Sequence, residues 1–262
     1  MHEKENKKKE LVQKKVYEIK TFPVPFPREK ITENLTISTS SYTDKEKIIN
    51  QAFQLQSQGN VLEAEKYYQS LINQGFIDHR IFTNYGVILS HYGNLYEAEL
   101  SLRKAIDLQP DFAIAHFNLG KILKDLGNLE AAQISYKKAI ELQPDYANAH
   151  LNLGNILNDL GFLKEAALST RKAIELNPNF AEAYSNLGNI LKNLGNLGQA
   201  ELSLNKAIEI NPNFAEAHYN LGNILRDLGK FKEAEISTRK AIQINPNFAE
   251  AYSNLGNILK NL

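Results

Sequence analysis

The sequence predicts an all-α solenoid of antiparallel helix pairs, and three observations carry that prediction. A 34-residue period runs through most of the 262 residues, glycine and proline fall at fixed places within it, and apolar residues between those places keep helical spacing. The triplet Asn-Leu-Gly ends at Gly120, Gly154, Gly188, Gly222 and Gly256, each 34 residues from the next. Asn84-Tyr85-Gly86 fits one period earlier, and Asn50-Gln51-Ala52 earlier still. With Ala113 as position 1, copies begin at Lys45, His79, Ala113, Ala147, Ala181, Ala215 and Ala249, giving six full repeats and a seventh that reaches Leu262.

Each element of the repeat has a local reason. Position 15 is glycine in six copies, Gly59 to Gly229, and marks the end of a first helix, because glycine adopts the left-handed C-cap conformation without steric cost. Position 32 is proline at Pro110, Pro144, Pro178, Pro212 and Pro246, which separates a second helix from the next repeat. Asn179, Asn213 and Asn247 read as N-caps, with Glu182, Glu216 and Glu250 three residues on completing a capping box. Gly86 to Gly256 at position 8 lie inside the first helix, where glycine costs roughly 0.5–1 kcal/mol relative to alanine. Close approach of the partner helix is the expected compensation. Small residues at position 20 (Ala64 to Ala234) and position 27 (Ala105 to Ala241) are expected to face that contact.

An aromatic residue or His at 4, Leu at 7, Gly at 8, Ala at 20 and 27 and Pro at 32 resembles the tetratricopeptide repeat, over residues 45–262. The resemblance implies a right-handed superhelix whose first helices line the concave side. The first copy departs most, with Phe76 in place of Pro and Leu71 in place of Ala, as a terminal unit does. Copies are also related in pairs: Asn177–Leu194 and Asn245–Leu262 are identical over 18 residues.

Residues 1–44 form a different region, expected to be largely disordered. Residues 1–30 carry nine Lys/Arg and five Glu, the run Phe22 to Pro27 must be extended because each Pro bars helix in the residue before it, and Thr32 to Thr43 reads as linker. Thr43 with Glu46 makes a capping box where ordered structure is expected to begin.

Helical spacing puts positions 4, 7, 8 and 11 of the first helix on a core stripe, and 2, 5, 6, 9, 12 and 13 on a groove stripe. Position 6 is Asn in every copy: Asn50, Asn84, Asn118, Asn152, Asn186, Asn220 and Asn254. Position 9 adds Asn155, Asn189, Asn223 and Asn257. A column of carboxamides offers donors and acceptors that match an extended backbone. This ladder resembles the repeat domain of the O-linked N-acetylglucosamine transferases, which implies a grip on substrate peptides; an alternative use is bonding between neighbouring helices. Beside it lie Phe117, Leu151 and Tyr219 at position 5, Lys124, Lys192, Arg226 and Lys260 at 12, and Asp125, Asp159 and Asp227 at 13. Some relatives clamp a C-terminal carboxylate with Lys at 5 and Lys/Arg at 2 and 6. Here position 5 is never basic and position 2 is basic only at Arg80, so that clamp is not expected.

Other function classes find little support. Net charge is zero with no concentrated basic face, which argues against nucleic acid. There is no Cys, no apolar run long enough to cross a bilayer and no signal-peptide core, so the expected compartment is the cytoplasm and no membrane partner is expected. His116, His150 and His218 recur at position 4 on the core stripe, each in a different repeat, too far apart to share a metal. No phosphate-binding loop or nucleophile elbow is present, so neither cofactor nor catalytic residue is expected. The expected function is a non-enzymatic scaffold holding an extended peptide or partner protein. The alternative is the targeting arm of a larger glycosyltransferase-like enzyme. The seventh copy stops after one helix, which suggests either more protein or self-association through its uncovered side.

Overall fold

In the computed structural model, residues 42–262 are described. The Lys/Glu-rich start, the Phe/Pro run at 22–27 and nearly all of the Ser/Thr-rich stretch lie outside them. Among the described residues there are thirteen helices and no strand. They alternate as first and second members of each repeat: α1 (Tyr42–Ser57) and α2 (Val61–Asn73), α3 (His79–His91) and α4 (Leu95–Leu108), α5 (Ala113–Asp125) and α6 (Leu129–Leu142), α7 (Ala147–Asp159) and α8 (Leu163–Leu176), α9 (Ala181–Asn193) and α10 (Leu197–Ile210), α11 (Ala215–Asp227) and α12 (Phe231–Ile244), then α13 (Ala249–Leu259). Each first helix from α3 to α11 packs on the second helix of its own repeat and on that of the repeat before. The predicted solenoid of helix pairs is therefore the fold. α1 is described from Tyr42, and Thr43 falls within it.

The turn within each repeat forms as expected. Gly127 takes φ 78°, its N–H bonds Lys124 O at 2.9 Å, and Asn128 N–H bonds Leu123 O at 2.8 Å. Those two bonds are a Schellman cap, satisfying carbonyls that the end of a helix would otherwise strand.

The turn between repeats is built differently from the expectation. Asn179, Asn213 and Asn247 are not the N-caps; those positions belong to Phe180, Phe214 and Phe248, whose side chains cannot cap. No side chain caps these helices; the residue before the proline closes the turn instead. Asn177 Oδ1 accepts the N–H of Asn179 at 3.2 Å while Asn177 O accepts the N–H of Phe180 at 3.1 Å. Asn211 and Asn245 repeat both bonds. Asparagine closing the turn on its own backbone and proline presetting the next φ together make a rigid corner. Glu182, Glu216 and Glu250 are thereby left exposed in the first turns of their helices, without a capping role.

Position 8 does allow close approach, but the side chain over it comes from position 24. A Cβ on Gly120 would stand 2.8 Å from the Tyr136 ring, and one on Gly188 would stand 2.7 Å from Leu204 Cγ. Thr170 and Thr238 cover Gly154 and Gly222 in the same way. The alanines at position 20 contribute their backbone, since Ala98 O, Ala166 O and Ala234 O lie 3.1–3.4 Å from such a Cβ. Ala64 to Ala234 at position 20 and Ala105 to Ala241 at position 27 are fully buried. Serine at position 23 ties the pair together: Ser101, Ser169 and Ser237 donate to the carbonyls of Phe82, His150 and His218 at 2.8–2.9 Å.

The core stripe is also shifted. Its buried members are positions 3, 7, 8, 10 and 11, as in Ala217, Leu221, Gly222, Ile224 and Leu225. His116, His150 and His218 at position 4 are only half-buried. Each places Nε2 within 2.9–3.0 Å of the carbonyl of Pro110, Pro144 or Pro212, fastening the helix to the corner before it. Burial lowers the His218 imidazole below the usual range, with the Pro212 carbonyl opposing that and Lys240 adding to it.

Candidate functional site

First helices also touch the first helix of the next repeat, α3 with α5, α7 with α9, α9 with α11 and α11 with α13, and no comparable contact joins successive second helices among the described residues. The first helices therefore stand closer together and form the inside of the curve. Position 6 faces this side near the seam between repeats, and the asparagines there grade from open to enclosed. Asn50 is exposed, Asn84, Asn118, Asn152 and Asn186 are half-buried, and Asn220 and Asn254 are only 8% and 4% exposed.

Several of these amides are already engaged. Asn186 Nδ2 donates to Asn155 Oδ1 at 2.8 Å, joining position 6 to position 9 of the preceding repeat. Asn254 Oδ1 accepts from Arg226 Nη1 at 2.7 Å, and its Nδ2 donates to Thr238 Oγ1 at 3.4 Å. Asn152 Nδ2 turns back to Asn148 O at 2.9 Å. Burial pushes the Tyr68 phenol well up, with a hydrogen bond from Asn84 opposing the rise. Tyr68 and Thr238 both sit at position 24, so the inner asparagine reaches position 24 of the repeat before, which in the case of Thr238 covers Gly222. The ladder thus has a structural side as well as an open one.

A cavity of about 560 Å³ opens on the inner face across α5, α7, α9 and α11. It gathers five of the sequence-predicted residues: Lys124, Asn155, Asp159, Asn186 and Asn189. Lys124 and Asp159 have no ion pair among the described residues and so face the cavity unneutralised. Lys192 and Arg226 instead converge on Asp227, at 3.5 and 2.9 Å. Asn223 is half-buried in the same row of α11. Asp125, exposed at the end of α5, adds to the rise of the Tyr136 phenol that burial causes.

Position 5 behaves differently from a groove position. Leu151 is 2% exposed and packs against Ala173, Ala183 and Phe180. Phe117 meets Tyr146 at a ring separation of 4.7 Å, and Tyr219 meets Phe248 at 4.9 Å. The residue at position 5 therefore packs against the aromatic residue at position 34, filling the seam between repeats, and Tyr219 also borders an inner cavity. Sequence reasoning missed the other half of that seam. Phe112, Tyr146, Phe180, Phe214 and Phe248 recur at position 34, a signal that was there to be read. Phe214, Glu182 and Glu216 line the 560 Å³ cavity too. Arg80, the single basic residue at position 2, is held by Asp78 and Glu46 at 2.6 and 2.7 Å.

The outer face is less specific. Leu100, Ile134, Leu168, Leu202 and Ile236 protrude one per repeat at position 22. Three repeats also carry an exposed Lys–Glu pair there, Lys138–Glu141, Lys172–Glu175 and Lys206–Glu209. Isolated apolar residues of this kind are ordinary on a soluble surface. Among the described residues no three of His, Asp and Glu are grouped to hold a metal ion, and no helix is long and apolar enough to cross a membrane.

Family models described as TPR repeat match residues 120–161, 154–195 and 188–229, and models described as tetratricopeptide repeat match 79–112, 101–134 and 215–248. Together they span 79–248, about two thirds of the chain. No curated protein matches. Among solved structures, the chain is similar to YrrB, described as a TPR protein with an unusual peptide-binding site, at 26% identity and TM-score 0.59 over 74% of this chain and 98% of that one. It is similar to MamA at 27% identity and TM-score 0.57, covering 63% of this chain and 96% of that one. A likeness to a thermophilic TPR protein from Thermus thermophilus, 20% identical with TM-score 0.58 over 70% of this chain and 99% of that one, shows the fold alone.

Proposed function

This chain belongs to the tetratricopeptide repeat family, and on that premise we propose that it is a non-catalytic scaffold holding an extended segment of a partner protein along its inner face. The observation that carries the reading is the 560 Å³ cavity in which Asn155, Asn186 and Asn189 stand beside the unneutralised Lys124 and Asp159. A strand of guest backbone laid there finds side-chain donors and acceptors at each repeat without needing a fixed sequence. The half-buried run Asn84, Asn118, Asn152 and Asn186 supports the ladder as the gripping surface, and Asn220 and Asn254 extend it toward the last repeats in a more enclosed setting. YrrB, with a peptide-binding site of its own, lends support by similarity.

Each carboxamide bond contributes roughly 0.5–1.5 kcal/mol net, so removing three of them weakens binding by about tenfold or more. The test uses peptides selected from a random library on the wild-type chain. A variant carrying Asn118→Ala, Asn152→Ala and Asn186→Ala is expected to keep its helical circular dichroism and lose at least that much affinity in fluorescence polarisation. Undiminished affinity in the folded variant overturns the ladder.

A further inference from the structure

Between α11 and α13 a second inner cavity of about 570 Å³ is lined by three aromatic rings, two carboxylates and two amides, those of Asn220 and Asn245. Phe214 and Phe248 are the residues that cap the two helices, and Tyr219 lies between them in chain order, its ring 4.9 Å from that of Phe248 at an interplanar angle of 46°. Glu216 and Glu250 sit at position 2 of the two helices, exposed and without a hydrogen bond or ion pair among the described residues. Two basic side chains of the same inner row are committed elsewhere, Arg226 to Asn254 and Asp227 and Lys192 to Asp227. Asn220 completes the lining, and its Nδ2 is buried with no hydrogen-bond partner.

We infer that this cavity is a recognition pocket for a cationic side chain, arginine above all, carried by the extended chain in the groove. Ring faces are electronegative and attract cations within about 6 Å of their centres. Two free carboxylates one repeat apart repel an anion and leave an apolar side chain with nothing to neutralise them. A planar guanidinium stacks on a ring and donates to carboxylates with its remaining N–H groups, which an ammonium cannot do in one pose. The unpartnered Asn220 amide is a donor, and a backbone carbonyl of the guest is the group that satisfies it. The chain already shows a guanidinium bonded to a position-6 asparagine, in Arg226 with Asn254. The competing account of Glu216 and Glu250 is that carboxylates in a first turn merely favour the positive end of the helix. That account explains neither the three rings nor the unpaired amide.

The inference rests on the groove reading, and the experiment separates the two. A 15N-labelled chain is titrated with seven-residue Gly/Ser peptides whose central residue is arginine, lysine, citrulline or glutamate. The arginine peptide is expected to shift the amide signals of Phe214, Tyr219, Asn220 and Phe248, and to bind about tenfold more tightly than its neutral isostere citrulline, with lysine between them. Glu216→Gln with Glu250→Gln is expected to erase the difference between arginine and citrulline, whereas a purely structural role would lower stability and leave the difference intact. Equal binding of arginine and citrulline to the wild type overturns the pocket. If the signals of Asn118, Asn152 and Asn186 still move with every peptide, the groove survives that result. If no peptide moves any signal, both readings fall.

Discussion

Replacing Gly188 by alanine is expected to destabilise the solenoid by about 1–3 kcal/mol, and the same replacement at Gly256 to stabilise α13 by roughly 0.5–1 kcal/mol. The two glycines lie in identical 18-residue sequences, so propensity, capping and neighbours along the chain cancel. What differs is the helix on top. A Cβ on Gly188 would come 2.7 Å from Leu204 Cγ, and Leu204 is fully buried with no room to retreat. At Gly256 a Cβ meets nothing within 4 Å, leaving only the gain of replacing glycine inside a helix. In a repeat array each unit contacts only its neighbours, so the readout must be local. Hydrogen exchange of α9 and α10 should speed up in Gly188→Ala, and that of α13 should slow in Gly256→Ala. Leu204→Ala should recover part of the loss in the Gly188→Ala background, because the cavity it opens takes the added methyl. Equal effects at the two sites would mean that position 8 is not set by the covering side chain.

The contrast shows what the sequence makes legible. The period, the helix pairing and the Schellman turns follow from glycine and proline spacing, since Gly127 or Pro144 leaves the backbone few choices. Which residue covers a given glycine does not follow in that way. Position 20 satisfies the requirement for smallness, but the angle between helices brings position 24 over the gap instead, and its identity changes from Leu102 to Tyr136 to Thr170. Asn179 looked like a cap because it precedes a helix by the right interval, yet Asn177, on the far side of the proline, closes the corner. Both residue types fit the rule; only the turn geometry selects between them. At the inner face, Lys124, Asn155, Asp159, Asn186 and Asn189 were found from one helix's stripe and do meet in one cavity. Phe214, Glu216 and Phe248 were not, because their juxtaposition needs two successive repeats to be stacked before it exists.

On the proposed reading position 6 has two roles along one column, and stability measurements at its last two members separate them. Asn254 is enclosed and fully used, accepting from the charged Arg226 and donating to Thr238. Asn254→Ala leaves a guanidinium short of an acceptor and a buried hydroxyl short of a donor, at a cost of about 1–3 kcal/mol. Asn220 is almost as enclosed, but its Nδ2 has no partner. Asn220→Ala removes a buried donor that nothing satisfies, so the net change is expected to lie within about 0.5 kcal/mol of zero, the lost contact offset by the relieved desolvation. Guest binding should rank them the other way, since the Nδ2 of Asn220 bonds nothing within the fold while the Asn254 amide is held in place by Arg226 and Thr238. Thermal denaturation of the two variants, followed by peptide affinity on each, gives both orders from the same proteins. If Asn220→Ala proves as costly to the fold as Asn254→Ala, the unpaired amide has a structural partner and is no longer a gripping group. If it is neutral for the fold and weakens the guest, the recurrence of asparagine through all seven copies has two separate physical causes: helix-to-helix bonding where the amide is enclosed and spent, and recognition where a donor remains.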